Sequence, residues 1–418
     1  MKNFIPIDVV TVGQLNGNTL FVGKMTFLQI LSVYKLTERQ ESSEDPYSAK
    51  RSKTTNKDFQ RHLNPTKLKE IAEFIESKLF KNKDKDKSSL NFFPTSILIA
   101  LDHEIDYDSS KLNEQFLNEI YEKEKNLSSC FINADSSKIF IPKNAGISLI
   151  VDGQHRFCGM KLLYDSIKDK SKKEEIERFE FPITFLVGFD IYDLGLIFAN
   201  VNFEQKPVNR SLYYDIFGSI PDMKRNEIKL AHDLTLHLNN NPDSPINGMI
   251  KLLGRGEGLF SQAFFVEKIL KHLQSKAVWG EIYSDFLIGG DRHKRLPIFM
   301  KSYFKAIKDA YPSSWPKRVV RKSGTFYSSH GTDGYKFILC KSTGIGAFLR
   351  LIRDLYPLVE DKSEGEMYAE LKRILCKVSD EKAEKLFSKE GKFARSGGEG
   401  LVSDLYTSLK TEFGLKSK

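Results

Sequence analysis

The sequence predicts an α+β fold in two parts: a mixed sheet with helices over residues 1–215, then a mainly α-helical domain over 216–418. Three observations carry this expectation. β-branched runs alternate with helical periodicities in the first half. From Leu212 the texture changes to long amphipathic stretches broken by Gly, Pro and Asn clusters. The 418 residues exceed one common domain size, so each half is long enough for its own core. No internal repeat or heptad run is present.

In chain order, Val9–Val12 and Thr19–Val22 read as strands around the turn formers Asn16, Gly17 and Asn18, with a helix across Phe27–Leu31. Residues 41–57 are rich in Ser, Lys and Thr and read as a loop. Asn64-Pro65 is a helix start, cap followed by first-turn Pro, and Leu68, Ile71, Ala72, Ile75 and Leu79 line one face that packs on the sheet. Ile97–Leu101 and Phe181–Phe189 are apolar enough for buried strands, with Pro182 tolerated at a strand's beginning. The intervening 102–108 segment holds Asp102, His103, Glu104, Asp106 and Asp108, and reads as a solvated acidic loop rather than a metal cluster. Asp193–Val201 reads as a helix, as do Leu230–Leu238 and Phe264–Leu273. The glycine-rich 254–258 follows no clear strand and reads as a loop.

The most informative segment is Asp152-Gly153-Gln154-His155-Arg156, between the β-branched run Gly146–Val151 and a helical pattern of Phe157, Met160, Leu163 and Tyr164. It therefore occupies the first turn of a helix leaving a strand, where backbone N–H groups and the helix dipole favour an anion. Gly153 permits close backbone approach, Arg156 can fork onto phosphate oxygens, and His155 can donate a hydrogen bond or move a proton. Asp152 can cap the helix, hold Mg²⁺ through its waters or orient a water nucleophile. The competing reading is ordinary Asp-Gly turn and cap chemistry.

With its flanking blocks the segment resembles the DGQHR-domain family, which includes the DndB proteins of bacterial DNA sulfur modification. The supporting blocks are 13–17, 21–25, 59–65, 92–99, Pro182–Phe185 and Phe198–Val208, with 343–347 and 397–401 later in the chain. At greater distance the order of elements is similar to the ParB/sulfiredoxin-like fold. The resemblance implies a nucleotide-binding domain working beside DNA modification machinery, with ATP or CTP and Mg²⁺ as cofactors. Gly153, Gln154 and Arg156 would hold phosphates, Asp152 the metal, and His155 the charge of a transferred phosphoryl group. Asn202 and Gln205 would close the site, and Gln60 and Arg61 would add a phosphate contact. A capped helix end is the plainer reading of Asn202.

Net charge is +9 and the pI near 9.0, which permits nucleic-acid binding without establishing it. Residues 81–87 and 168–173 mix both signs and read as solvated loops. Asp291–Arg295 is a denser basic cluster. Lys317, Arg318, Arg321 and Lys322 sit beside Trp315, Phe326 and Tyr327, so cations neighbour stacking aromatics, which suits a DNA backbone or an unstacked base; an ordinary basic surface is the competing reading. Four scattered cysteines argue against a disulfide framework or zinc ribbon. No signal segment or run of about 18 apolar residues is seen, which reads as a cytoplasmic protein with no membrane partner. The expected partners are DNA and other DNA modification proteins, with a homo-oligomer left open. The leading function is a nucleotide-binding, ATP-hydrolysing accessory or regulatory protein of a DNA modification or defence system. The alternative is a DNA-binding transcriptional regulator without catalysis; a nuclease ranks third, because no compact carboxylate set with Lys is evident.

Overall fold

The computed structural model describes residues 3–14, 19–34, 46–47, 63–77, 93–104, 106–124, 127–143, 148–203, 210–218, 225–254, 258–321, 324–328, 337–388, 390–393 and 398–415. The architecture is mixed α+β and helix-rich, in two compact units: 1–39 with 57–206, and 40–56 with 207–418.

The first unit is built on seven strands: β1 (Phe4–Gly13), β2 (Thr19–Thr26), β3 (Ile97–His103), β4 (Ser129–Ile132), β5 (Lys138–Pro142), β6 (Leu149–Asp152) and β7 (Glu180–Val187). They run in the order β4-β5-β1-β2-β7-β3-β6, and a further parallel pairing of β3 with β4 (Asp102 with Ser129, His103 with Cys130) closes six of them into a ring. β6 and β4 thus share one edge of β3, β6 along Leu98–Ala100 and β4 at its end.

Period-two alternation sorts the side chains. Ile5, Ile7, Ile139, Ile141, Cys130 and Ile132 join one core with Ile97, Ile99, Leu101, Phe181, Ile183 and Phe185. Their opposite-parity neighbours Phe4, Phe131 and Phe140 pack with Leu117. Six helices accompany the strands: α1 (Phe27–Val33), α2 (Pro65–Glu76), α3 (Glu114–Lys123), α4 (Gln154–Ser166), α5 (Lys170–Glu177) and α6 (Ile191–Phe203).

Local rules set these boundaries. Asn64 accepts from the backbone N–H groups of Thr66 and Lys67 to begin α2 at Pro65. Ala72 and Ile75 of α2 join the sheet's core, and its main helical neighbour is α4, where Gly159 lets Ile71 come so close that a Cβ would lie 2.4 Å from its Cγ2. Leu79, residues 81–87 and the 16–18 turn lie outside the described residues, as does most of 41–57. The mixed-charge stretch 168–173 is a helix start rather than a loop: Asp169 caps α5, and buried Ile176 anchors it.

The second unit comprises α7 (Arg210–Gly218), α8 (Glu227–Asn240), β8 (Ile250–Lys251), β9 (Phe260–Ser261), α9 (Gln262–Leu273), α10 (Gly280–Leu287), α11 (Arg295–Ala310), β10 (Lys317–Arg321), β11 (Gly324–Ser328), α12 (Ser342–Leu355), α13 (Glu364–Leu375), α14 (Asp380–Phe387) and α15 (Glu399–Glu412). Its core centres on Trp279, Phe299, Tyr303, Phe348 and Tyr356. The buried hydroxyls of Tyr303 and Tyr311 donate to the main-chain oxygens of Phe348 and Leu375. The short β8, paired in parallel with β9, does precede the glycine-rich 254–258. Among the described residues no helix is long and apolar enough to cross a membrane.

Candidate functional site

Residues 152–156 are positioned by the end of β6 and the start of α4. β6 runs antiparallel to β3 with Asp152 opposite Leu98, and a register irregularity between Leu98 and Ile99 accommodates the extra residue Val151. Gly153 then adopts φ 90°, ψ 3°, and α4 begins at Gln154. A Cβ on Gly153 would lie 2.9 Å from Arg156 Nη2 and 3.0 Å from Ile97 Cγ1, so this turn needs glycine for both conformation and space. The cap position belongs to Gly153, not Asp152; Asp152 is the strand's last residue, and no side chain from the cap position bonds the helix.

The motif's side chains divide between interior and surface. Gln154 is buried, its Nε2 donating to the Tyr34 hydroxyl at 3.4 Å, and that hydroxyl lies 3.6 Å from Cys158 Sγ. Burial, then the neighbouring Cys158, pushes the Tyr34 pKa far up, and burial also raises the Cys158 thiol. Both groups are neutral at pH 7. Arg156 turns back over β3: Nη1 donates to Thr95 O at 2.5 Å and Thr95 Oγ1 at 2.7 Å, and Nη2 donates to Ser96 O at 3.0 Å. Nη2 also stands 3.6 Å from Asp152 Oδ2. Burial presses the Arg156 pKa down and Asp152 opposes it, yet a guanidinium begins high enough to stay charged. Thr184 Oγ1 donates to Ser96 Oγ, joining β7 to the same cluster. Asp152 and His155 are the motif members left half-exposed with Arg156.

A phosphate bound here would meet the left-handed glycine and the helix start. Arg156 would contribute only its charge there, since both terminal nitrogens are already committed to Thr95 and Ser96. Among the described residues no three carboxylate, His or Cys side chains converge as a metal cage. Mg²⁺ would therefore rest on Asp152, phosphate oxygens and water, the usual way this ion is held beside nucleotides.

Of the other sequence-derived residues, Asn202 lies on α6 with its side chain outside the description, and Gln60, Arg61, Gln205 and Lys322 lie outside the described residues. Lys317, Arg318 and Arg321 fall on β10, an antiparallel partner of β11 that pairs Arg318 with Tyr327. Asp291–Arg295 leads into α11 and borders a cavity of about 600 Å³ with Lys229 and His237.

Sequence reasoning missed a cavity of about 540 Å³ at the far end of β3, lined by His103, Tyr107, Asn133, Gly188 and Asp193. His103 Nε2 is buried without a hydrogen-bond partner among the described residues, and burial lowers the ring's pKa against the pull of Glu104. The Tyr107 hydroxyl donates to Ile132 O at 2.6 Å and accepts from Ile132 N at 2.7 Å. The signal was present in the sequence: a period of two from Ile97, Ile99 and Leu101 puts His103 on the same face.

No curated protein and no solved structure matches the chain. A family model does, over residues 22–232, a span that holds the whole 152–156 turn, both ends of β3 and just over half of the sequence. The chain belongs to the DndB family of DNA-sulfur modification-associated proteins.

Proposed function

We propose that the first unit binds a nucleoside triphosphate at the β6–α4 turn and that the protein serves DNA sulfur modification as a nucleotide-dependent accessory or regulatory subunit. The observation that carries this reading is the left-handed Gly153 turn, which delivers Asp152, His155 and Arg156 to one helix start. Asp152 would hold Mg²⁺, His155 would meet the charge of the phosphates, and Arg156 supplies fixed positive charge while securing the 95–96 segment. The succession β6, Gly153 turn, α4, β7 and α6 supports reading the unit as ParB/sulfiredoxin-like. ATP hydrolysis is the further step, with His155 stabilising the charge that develops on the transferred group.

Calorimetry with ATP and with CTP in Mg²⁺, on the wild type and on Asp152→Ala and His155→Ala, tests this. Binding that weakens at least about tenfold in both variants, with melting unchanged, supports the site. Wild-type protein that binds neither nucleotide, with or without DNA, overturns it.

A second reading, a DNA-binding regulator of the modification genes, rests on the two-stranded β10–β11 ribbon. Three of the five residues of β10 are Lys or Arg, and a β-ribbon is narrow enough for the major groove. Substituting Lys317, Arg318, Arg321 and Lys322 by Gln should then weaken DNA binding and flatten its salt dependence. Unchanged affinity and slope would remove this surface from consideration.

A further inference from the structure

The second unit contains a cavity of about 730 Å³ on which three helices converge their basic residues. The same spacing of three occurs on two of them. Lys268 and Lys271 lie three apart on α9, Arg350 and Arg353 three apart on α12, and Lys410 comes from the last turn of α15. Lys276, in the turn after α9, completes six cations.

Two carboxylates face them. Glu399 takes Lys268 at 2.6 Å and Lys271 at 3.2 Å; Asp354 takes Lys410 at 2.7 Å and lies 3.5 Å from Arg353 Nε. An aromatic face holds two of the arginines as well. Arg350 and Arg353 stand over the Tyr406 ring at 5.1 and 4.6 Å, and Arg353 also donates to the Tyr406 hydroxyl. Lys276 has no carboxylate partner among the described residues. His272 also lines the cavity, bonded through Nε2 to Leu349 O.

The lining therefore carries an excess of four positive charges. Part of it is withdrawn from solvent: the Lys268 side chain is 12% exposed and that of Lys410 14%. Like charges gathered in a recess of reduced dielectric repel more strongly than on an open surface. A fold retains such a concentration where an anion returns the energy.

We propose that this cavity binds a compact polyanion, a chain of two or three phosphates. Its volume suits a small ligand, and its cations line one recess from three helices and a turn, whereas a duplex presents its phosphates along an outer face. The non-polar lining is Ala277, Val278 and Pro357, with no broad ring on which a base would stack. The phosphate chain is thus the recognised part, whether free or as the tail of a nucleotide. The site is separate from the β6–α4 turn and stands without it.

The test is calorimetry on the full chain with inorganic pyrophosphate, tripolyphosphate and ATP, comparing wild type with the double variant Lys276→Gln/Arg350→Gln. Pyrophosphate and tripolyphosphate should bind the wild type, with affinity falling at least about tenfold in the double variant. The Asp152→Ala variant should keep that pyrophosphate binding, which separates this site from the turn in the first unit. In Asp152→Ala, equal affinity for tripolyphosphate and ATP would assign the site to free polyphosphate, and a preference for ATP to the nucleotide tail. Should the double variant melt lower, Lys271→Gln replaces it, because Glu399 retains Lys268. Wild-type protein that binds neither phosphate chain, or binding equally tight in folded variants, overturns the proposal.

Discussion

Arg156 holds Thr95 twice, through Nη1 to its main-chain oxygen and to its hydroxyl, so a residue of α4 fixes the segment that leads into β3. Its Nη2 completes the clasp on Ser96 O, while Asp152 stands 3.6 Å away. A planar fork serves this geometry and an ammonium does not. Arg156→Lys should therefore destabilise the protein by about 1–3 kcal/mol, the usual range for charge-assisted bonds at a shielded site. Urea unfolding followed by circular dichroism reads this directly. Stability unchanged by Arg156→Lys would mean that the clasp contributes nothing. The clasp also bears on nucleotide assays: lost binding in an Arg156 variant is interpretable only alongside its melting temperature.

Gly153 and Gly188 both have positive φ, 90° and 75°, but differ in the space around them. A Cβ at Gly153 would press on Arg156 and Ile97, whereas at Gly188 the nearest atom is His103 Cβ at 3.7 Å. Gly153→Ala should cost the strain of a left-handed residue, about 1–3 kcal/mol, and further energy from displacing Arg156. Gly188→Asn should cost little, since Asn tolerates this region. Equal melting temperatures for the two variants would remove the steric part of the explanation.

Much of the first unit was legible because its signals are local. Asn64-Pro65 marks a helix start, and the runs at Ile97 and Phe181 mark buried strands. Gly153 between a β-branched run and a helical pattern marks the turn. Closure of the sheet was not legible: Asp102 pairs with Ser129 and His103 with Cys130 across an intervening helix, and no local pattern encodes that partnership. The orientation of Arg156 was hidden for a related reason, since its acceptors are backbone atoms 60 residues away or more. The β10–β11 pair went unrecognised because its cations suggested surface. Yet Val319, Val320, Thr325, Phe326 and Tyr327 all favour strands. The basic cavity draws on residues from Lys268 to Lys410, a dispersion that only the folded chain brings together.

Two buried histidines of the second unit should respond oppositely to pH. Burial lowers the His272 pKa from 6.5 to about 4, against its bond to Leu349 O. The unfolded chain takes up this proton near pH 6.5 and the folded one only near 4. The stabilising contribution is therefore complete above pH 6.5 and is lost as pH falls toward 4, by on the order of 3 kcal/mol. For His232 burial also opposes the charge, but the hydrogen bond to Asp215 and the nearby Asp233 carboxylate outweigh it and raise the pKa. Its contribution is complete below pH 6.5 and lost as pH rises through the folded value. Denaturant midpoints from pH 4 to 8 should fall less steeply on the acid side in His272→Gln than in wild type. An identical acid limb would exclude His272 as its cause.

Lys229 and Asp233, one turn apart on α8, pair at 3.3 Å with side chains 3% and 15% exposed. Asp233 also lies 3.5 Å from His232 Nδ1, whose other nitrogen meets Asp215 at 3.2 Å; Gln262 Nε2 donates to Asp215 in turn. Gly218 makes room for this line, since a Cβ there would lie 2.0 Å from the His232 ring. Charges so placed have surrendered their hydration, and each depends on its neighbour to recover it. Lys229→Met leaves Asp233 with less compensation and should cost about 3–5 kcal/mol. Converting the pair together, Lys229→Met with Asp233→Leu, removes both desolvation penalties and should cost less than the single change, although His232 then loses one nearby carboxylate. A double-mutant cycle in urea measures the coupling. Additive losses would mean that the two charges are solvated independently, and the ordering of single over double is the outcome that a buried, mutually dependent pair requires.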